Sequence, residues 1–350
     1  MSRNPHRLRG IVTALLLLGG VGLGGCSPTV MAGGPPVASP RFDNDKLVMA
    51  DGAALPLREW LPEGQPRAVI LALHGFNDYS KSFEEPAGDW AKQGIATYAY
   101  DQRGFGYAPH FGYWAGTDTM VADLRSAAAL IHARYPDTPL YLLGESMGGA
   151  LIMTAETEAD PPVCDGVVLA APAIWGRELQ GPVGAGALWF FAHTVPWLTV
   201  SGANLNVMPS DNIPMLRALG ADPHVIKETR VDAVFGLVDL MDRALAAAPN
   251  LKERGLVLYG AREEVLPSSA AMTMLRRLPP APAGPRVAVY KSGYHMLLRD
   301  LEAGIVRQDV AAWVLDPTIA ALPSGADARA EAMLKSSAPE LDAVTQAAVP

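Results

Sequence analysis

The feature that most constrains this chain is the hexapeptide Gly144-Glu145-Ser146-Met147-Gly148-Gly149, set between an apolar run at residues 140–143 and a helical pattern that continues through Leu151 and Met153. A chain that leaves a buried strand and enters a helix this abruptly must turn so tightly that its apex residue is strained. Side chains at the flanking positions would collide with the turn, so glycine is demanded there. The apex here is Ser146. Its hydroxyl is lifted clear of the carboxyl end of the strand, and the first amides of the following helix point toward any negative charge that develops beside it. The hexapeptide therefore predicts a sheet with helices packed against it and a nucleophile on one edge.

The rest of the chain repeats that rhythm. Strands are predicted at residues 46–49, 57–61, 68–74, 96–100, 140–143, 166–170, 256–259 and 287–290, several of them unbroken Val, Leu, Ile and Ala runs of the kind buried on both faces. Helical spacing of apolar residues occurs at 84–93, 120–134, 148–158 and 301–314. This is the grammar of an α/β protein with a mostly parallel sheet, and 350 residues at 49% apolar are enough to bury a large core. No fixed-period repeat is present, which excludes solenoids and propellers. Residues 175–245 interrupt the rhythm and are longer than a crossover requires, so they read as a cap inserted into a main domain of residues 46–174 and 246–316. The cap carries Leu188, Trp189, Phe190, Phe191, Trp197 and Leu198, and a second apolar stripe at 232–245. Such stripes serve either as packing between cap and body or as an acyl-binding or membrane-facing lid. Residues 317–350, rich in Ala, Ser and Pro, read as a tail without chemistry.

The first 25 residues read as a targeting segment: Arg3, Arg7 and Arg9 without any acid, then an apolar stretch at 11–23 that is too short to span a bilayer comfortably. The stretch ends in Leu23-Gly24-Gly25-Cys26, which resembles a bacterial lipobox, and the resemblance implies removal of residues 1–25 and acylation of Cys26. Ser27 at the following position resembles the signal for the outer membrane in bacteria with two membranes, so the expected location is the cell envelope, on the periplasmic side. Residues 26–45 then read as the acylated cysteine and a flexible tether, Pro-, Gly-, Ala- and Ser-rich up to Pro40.

A serine hydroxyl is a poor nucleophile without a base, and the base belongs in the loop after the last strand. His295 occupies that loop, directly after the strand at 287–290 and ahead of the final crossover helix. The acid that orients it belongs after the preceding strand, in Gly260-Ala261-Arg262-Glu263-Glu264-Val265-Leu266-Pro267. Glu263 is the choice, with Glu264 as its competitor. An oxyanion needs two backbone donors, one just after the nucleophile and one from an earlier loop, which selects Met147 and Phe76. His74 is expected to brace the Phe76 loop, and Asp101 and Arg103 to form an internal network in a packed turn.

Together, His74-Gly75-Phe76, Asp101-x-Arg103-Gly104-x-Gly106, Gly144-x-Ser146-x-Gly148-Gly149, Gly260-x-x-Glu263 and Tyr294-His295-Met296-Leu297 make residues 46–316 resemble the monoacylglycerol lipase and lysophospholipase branch of the α/β-hydrolases. The resemblance implies an α/β-hydrolase fold with eight strands, helices on both faces and a mainly helical cap after the sixth strand. It implies ester hydrolysis by Ser146, Glu263 and His295 with Phe76 and Met147 as the oxyanion hole, no cofactor, and a single-chain acyl lipid as substrate. The chain departs from the pattern where Glu263 replaces the usual Asp and Ala108 replaces a frequent serine. The other activities open to the scaffold are thioester, acyl-transfer and peptide chemistry on the same residues, or lipid binding without catalysis. The net charge of -8 with no basic run argues against nucleic acid as partner, and Cys26 and Cys164 lack any metal-ligand spacing. The expected partners are a lipid or small-molecule ester and a membrane, reached through the N-terminal lipid and the cap.

Overall fold

The computed structural model describes residues 27–202, 206–252 and 254–336. The targeting segment and Cys26 lie outside the described residues, as does the chain beyond Ser336. In chain order the strands are β1 (Arg41–Asp43), β2 (Lys46–Val48), β3 (Ala54–Trp60), β4 (Ala68–Leu73), β5 (Ile95–Tyr100), β6 (Leu140–Glu145), β7 (Gly166–Ala170), β8 (Thr199–Ser201), β9 (Glu228–Arg230), β10 (Gly255–Gly260) and β11 (Arg286–Tyr290). The helices are α1 (Glu84–Ala91), α2 (Thr117–Arg134), α3 (Met147–Glu156), α4 (Arg177–Thr194), α5 (Ile213–Ala221), α6 (Val231–Ala247), α7 (Ser268–Arg277), α8 (Ala303–Leu315) and α9 (Ala326–Ser336).

Nine strands form the main sheet in the order β1-β2-β3-β5-β4-β6-β7-β10-β11. The first three run antiparallel at one edge, and the remaining six are parallel. All eight predicted strands are present; β1 is the ninth. Strands β4, β5, β6, β7 and β10 are buried along their whole length, as expected of continuous apolar runs covered by helices on both faces. Helices α1 and α8 pack together, locked by a hydrogen bond from Trp90 Nε1 to the Arg307 carbonyl (3.0 Å), while α2, α3 and α6 form another packed group. The register sets the site: Leu73 pairs with Gly144, Gly144 with Leu169, Ala170 with Leu258, and Gly260 with Tyr290. The carboxyl ends of β4, β6, β7, β10 and β11 thus finish in line, and the loops carrying Phe76, Ser146, Glu263 and His295 leave from one edge.

Three expectations need correcting. Residues 27–40 are a strap laid on the body rather than a flexible tether: the amide of Met31 donates to the Trp114 carbonyl (2.8 Å), and those of Val37 and Ala38 donate to the Ala50 carbonyl (2.7 and 3.1 Å). A Pro- and Gly-rich composition indicates weak local preference, and here tertiary hydrogen bonds order the chain instead. The turn after β5 holds no Asp101–Arg103 pair. Asp101 accepts from the Ser80 amide and hydroxyl and the Tyr107 amide, whereas Arg103 grips Asp51 and Asp123, each with two hydrogen bonds. The planar guanidinium matches two carboxylates better than one neighbour two residues away. Finally, the described part of the C-terminal segment is not loose, because α9 packs on β11 with Ala326 and Ala330 buried.

The inserted region is helical with a small β8–β9 ribbon, and α4 is kinked at Gly181, next to Pro182. Its two apolar stripes have different fates. In α6, Leu237, Leu240, Met241, Ala244 and Leu245 join the main core, so that stripe is packing. In and after α4, Trp189, Phe190, Trp197 and Leu198 remain exposed.

Candidate functional site

Strand β6 ends at Glu145 and α3 begins at Met147, leaving Ser146 as the whole turn between them. Its φ of 52° and ψ of -112° lie where a residue with a side chain stays only if its surroundings hold it. They do. The Ser146 amide donates to the Ala170 carbonyl (2.9 Å), and its own carbonyl accepts from Ala150 and Ala173 (both 3.0 Å). The glycines are required by space: a Cβ on Gly148 would stand 2.2 Å from the Leu73 carbonyl oxygen, and one on Gly144 would stand 2.4 Å from the backbone of Gly148 and Gly149. Ser146 itself is half-buried. The Met147 amide opens α3 and belongs to the first turn, whose donors have no intrahelical acceptor.

The loop after β4 passes close by, since a Cβ on Gly75 would meet that of Ser146 at 3.4 Å. The brace is His74, fully buried: its Nδ1–H donates to the Gly75 carbonyl (2.9 Å) and its Nε2 accepts from the Gln102 amide (3.0 Å). Burial lowers the His74 pKa, in keeping with a neutral ring whose Nε2 must stay free to accept. Further along, the Asn77 carbonyl accepts from Ile226 (2.9 Å) and Asn77 Nδ2 donates to Thr229 Oγ1 (2.7 Å), which ties this loop to the inserted region.

His295 follows β11 and Glu263 follows β10, and the two meet: His295 Nδ1 lies 2.7 Å from Glu263 Oε2. Both are nearly buried. The other oxygen of Glu263 accepts from the amides of Val265 (2.7 Å) and Leu266 (3.0 Å). The extra methylene relative to aspartate is taken up by this curl of the side chain onto its own loop. Burial pushes the Glu263 carboxyl up, but His295 and the two amides outweigh it, and its pKa falls below the ordinary value. Glu264 points elsewhere, accepting from the Met208 amide (2.8 Å). The two loops are pressed backbone to backbone, with room for no side chain at Gly260, where a Cβ would stand 2.1 Å from the Gly293 carbonyl oxygen.

Sequence reasoning passed over two charged residues just beyond His295. Arg299 is buried and reaches two carboxylates, Asp78 Oδ2 in the Phe76 loop at 2.8 Å and Glu145 Oε2 at the end of β6 at 3.3 Å. It joins the Phe76 loop, the residue before Ser146 and the turn carrying His295. Asp300 accepts from Ser210 Oγ (2.6 Å) and from the Tyr294 amide (2.7 Å), and burial pushes its carboxyl up to about 6. The available signal was a charged residue, Glu145, at the end of a strand buried on both faces, since such a group needs a partner of opposite charge.

The arrangement supplies what acyl chemistry needs: a hydroxyl on a strained turn, an imidazole held by a carboxylate on its far nitrogen, and backbone amides at a helix start. Among the described residues no cluster of three or more His, Cys, Asp or Glu side chains is placed to hold a metal ion.

Comparison with known proteins agrees with the geometry. The family model described as serine aminopeptidase, S33, matches residues 64–302, more than half of the chain. A rat protein named monoglyceride lipase is 27% identical over 285 residues, 79% of this chain and 91% of its own length. A monoacylglycerol lipase of Mycolicibacterium smegmatis is 24% identical over 261 residues, 73% of this chain and 91% of that protein. Among solved structures, the monoacylglycerol lipase of Paleococcus ferrophilus superposes with a TM-score of 0.60 at 20% identity, covering 75% of this chain and 98% of that one. A hydroxyl nucleophile elbow, a family model spanning the sheet and site, and relatives matched over nine-tenths of their length make this chain a member of that α/β-hydrolase family, a serine hydrolase of the monoglyceride-lipase-like branch.

Proposed function

We propose that the protein hydrolyses carboxylic esters of single-chain acyl lipids, monoacylglycerols or lysophospholipids, through an acyl-enzyme. Ser146 Oγ attacks the ester carbonyl as His295 accepts its proton at Nε2; the Phe76 and Met147 amides stabilise the tetrahedral oxyanion; the imidazolium then protonates the departing alcohol. Water, deprotonated by the same histidine, attacks the acyl-serine and releases the fatty acid. The observation that carries this reading is the 2.7 Å contact between His295 and Glu263, which fixes the histidine with Nδ1 protonated and Nε2 free to act as base. The lipid substrate is supported by the names of the relatives and by the exposed aromatic side chains of the inserted region.

The test is Ser146→Ala. Hydrolysis of p-nitrophenyl butyrate and labelling by a fluorophosphonate should both disappear, and retention of both would exclude the serine mechanism. A panel of monoacylglycerols, lysophospholipids, acyl thioesters and peptides, with the same variant as blank, assigns the substrate class. We also propose that Cys26 is acylated and holds the enzyme in the cell envelope; incorporation of an alkyne-tagged fatty acid, lost in Cys26→Ser, tests it.

A further inference from the structure

The loop that carries His295 has no helix or strand of its own over residues 293–296, so its backbone is only as fixed as its hydrogen-bond partners. The contact with Glu263 holds one ring atom, Nδ1, and leaves the aim of Nε2 to the course of the main chain. The amides on either side of His295 set that course, and both are held from the inserted region. Tyr294 donates to Asp300 Oδ2 (2.7 Å), whose other oxygen accepts from Ser210 Oγ (2.6 Å), and the Met296 amide donates to the Pro209 carbonyl (3.0 Å).

Further bonds fasten the same short stretch. Asn212 Nδ2 donates to the Arg299 carbonyl (2.8 Å), the Leu301 amide to Asp211 Oδ1 (2.9 Å), and the Met208 amide to Glu264 Oε2 (2.8 Å) beside the acid Glu263. Burial singles out Ser210. Asn206, Val207 and Met208 before it and Ile213 after it are exposed, yet Ser210 is 0% exposed and Asp300 only 4%. A hydroxyl is sunk this deep only where it is paired, because an orphaned buried polar group is costly. Ser210 Oγ is paired twice, donating to Asp300 and accepting from the Asn212 amide (3.1 Å). It meets a carboxylate rather than an apolar wall, so acyl binding does not account for it.

We infer that Ser210 is a positioning residue for the general base: through Asp300 it fixes the Tyr294 side of His295 while Pro209 fixes the other, and residues 208–212 of the inserted region thereby belong to the catalytic apparatus. This role rests on the Ser146–His295 mechanism proposed above. Acylation and deacylation pass protons through the same imidazole, so a displaced ring slows both together and leaves binding of the ester unchanged.

The experiment uses the full-length protein, with rates taken per folded molecule at a temperature where circular dichroism shows complete folding. Ser210→Ala should lower kcat for p-nitrophenyl butyrate about tenfold with KM within about twofold, and should slow fluorophosphonate labelling of Ser146 in proportion. Ser210→Cys keeps the size and a weaker donor, and should lie between alanine and parent, about threefold below the parent. Thr199→Ala removes a hydroxyl of the β8–β9 ribbon that donates to Glu228 (3.4 Å), away from the His295 turn, and should leave kcat within about twofold of the parent. An unchanged kcat in Ser210→Ala, or a loss that falls on KM, overturns the positioning role alone. Should the alanine variant not fold, the cysteine variant decides, and a parental kcat there overturns the role. Hydrolysis that survives Ser146→Ala overturns the catalytic mechanism beneath it instead.

Discussion

Arg299 binds Glu145, the residue immediately before Ser146, from a position four residues after His295, with Asp78 on its other amino group. One guanidinium therefore spans the three loops that must agree in position for the nucleophile, its base and the Phe76 amide to act on one carbonyl. Arg299→Met leaves two buried carboxylates without a counter-charge, and about 3–5 kcal/mol of stability should be lost, read by urea unfolding. Arg299→Lys retains a charge but cannot span both partners, and kcat for p-nitrophenyl butyrate should fall while KM changes little. A lysine variant with unchanged kcat would reduce Arg299 to a stabilising residue.

Glu263→Gln should lower kcat for the same ester by about 100-fold or more, because the amide does not hold the imidazole in the accepting tautomer or balance the imidazolium. Glu264→Gln removes a charge but keeps an oxygen that can accept from the Met208 amide, and its kcat should stay close to that of the parent. The reverse order of effects would mean that the contact between Glu263 and His295 is not the working one.

Gly148→Ala should destabilise the fold by about 1–3 kcal/mol, the usual range when added atoms force the backbone to move. The atom displaced is the Leu73 carbonyl, which directly precedes His74, Gly75 and Phe76. Ester hydrolysis should consequently fall further than the loss of folded protein explains, measured at a temperature where the variant is fully folded by circular dichroism.

Asp300 gives a pH-dependent signature. Its folded pKa, pushed by burial up to about 6, lies above the unfolded value, so the contribution of Asp300 to stability is greatest at low pH and is lost as pH rises. The window runs from the ordinary carboxyl range to about pH 6. Glu263, with a depressed pKa, acts in the opposite sense, contributing above its unfolded pKa and losing that contribution as pH falls through the folded one. Comparing unfolding midpoints of the parent and Asp300→Asn isolates the first effect: the parent should lose ground to the variant between about pH 4 and 6 and hold a constant difference above. A difference that does not vary with pH would contradict the buried acid.

The elbow, the central strands and the Glu263–His295 pair could be read from the sequence because each is encoded locally, by glycines at a turn, by unbroken apolar runs, or by order along the chain. What escaped is held by partners distant in sequence. The strap at 27–40 carries no periodicity, and its order comes from Trp114, Thr119, Asp51 and Asp232. Helix α7 has Ala270, Ala271, Met274 and Leu275 inward, a stripe too rich in alanine to stand out as apolar. Arg299 and Asp300 looked like ordinary charges in a turn, and only the folded chain brings Asp78, Glu145 and Ser210 to them.

Helix α9 has a consequence for handling the protein. Strand β11 is the last of the parallel strands, and α9 lies along it, with Arg329 donating to the Val289 carbonyl (2.7 Å). A polypeptide cut back to residue 316 would bare that rim with its backbone groups unshielded, a template on which further copies could add strand to strand. Expression boundaries set at residue 316 should thus favour aggregation, since α9 is the element that shields that rim.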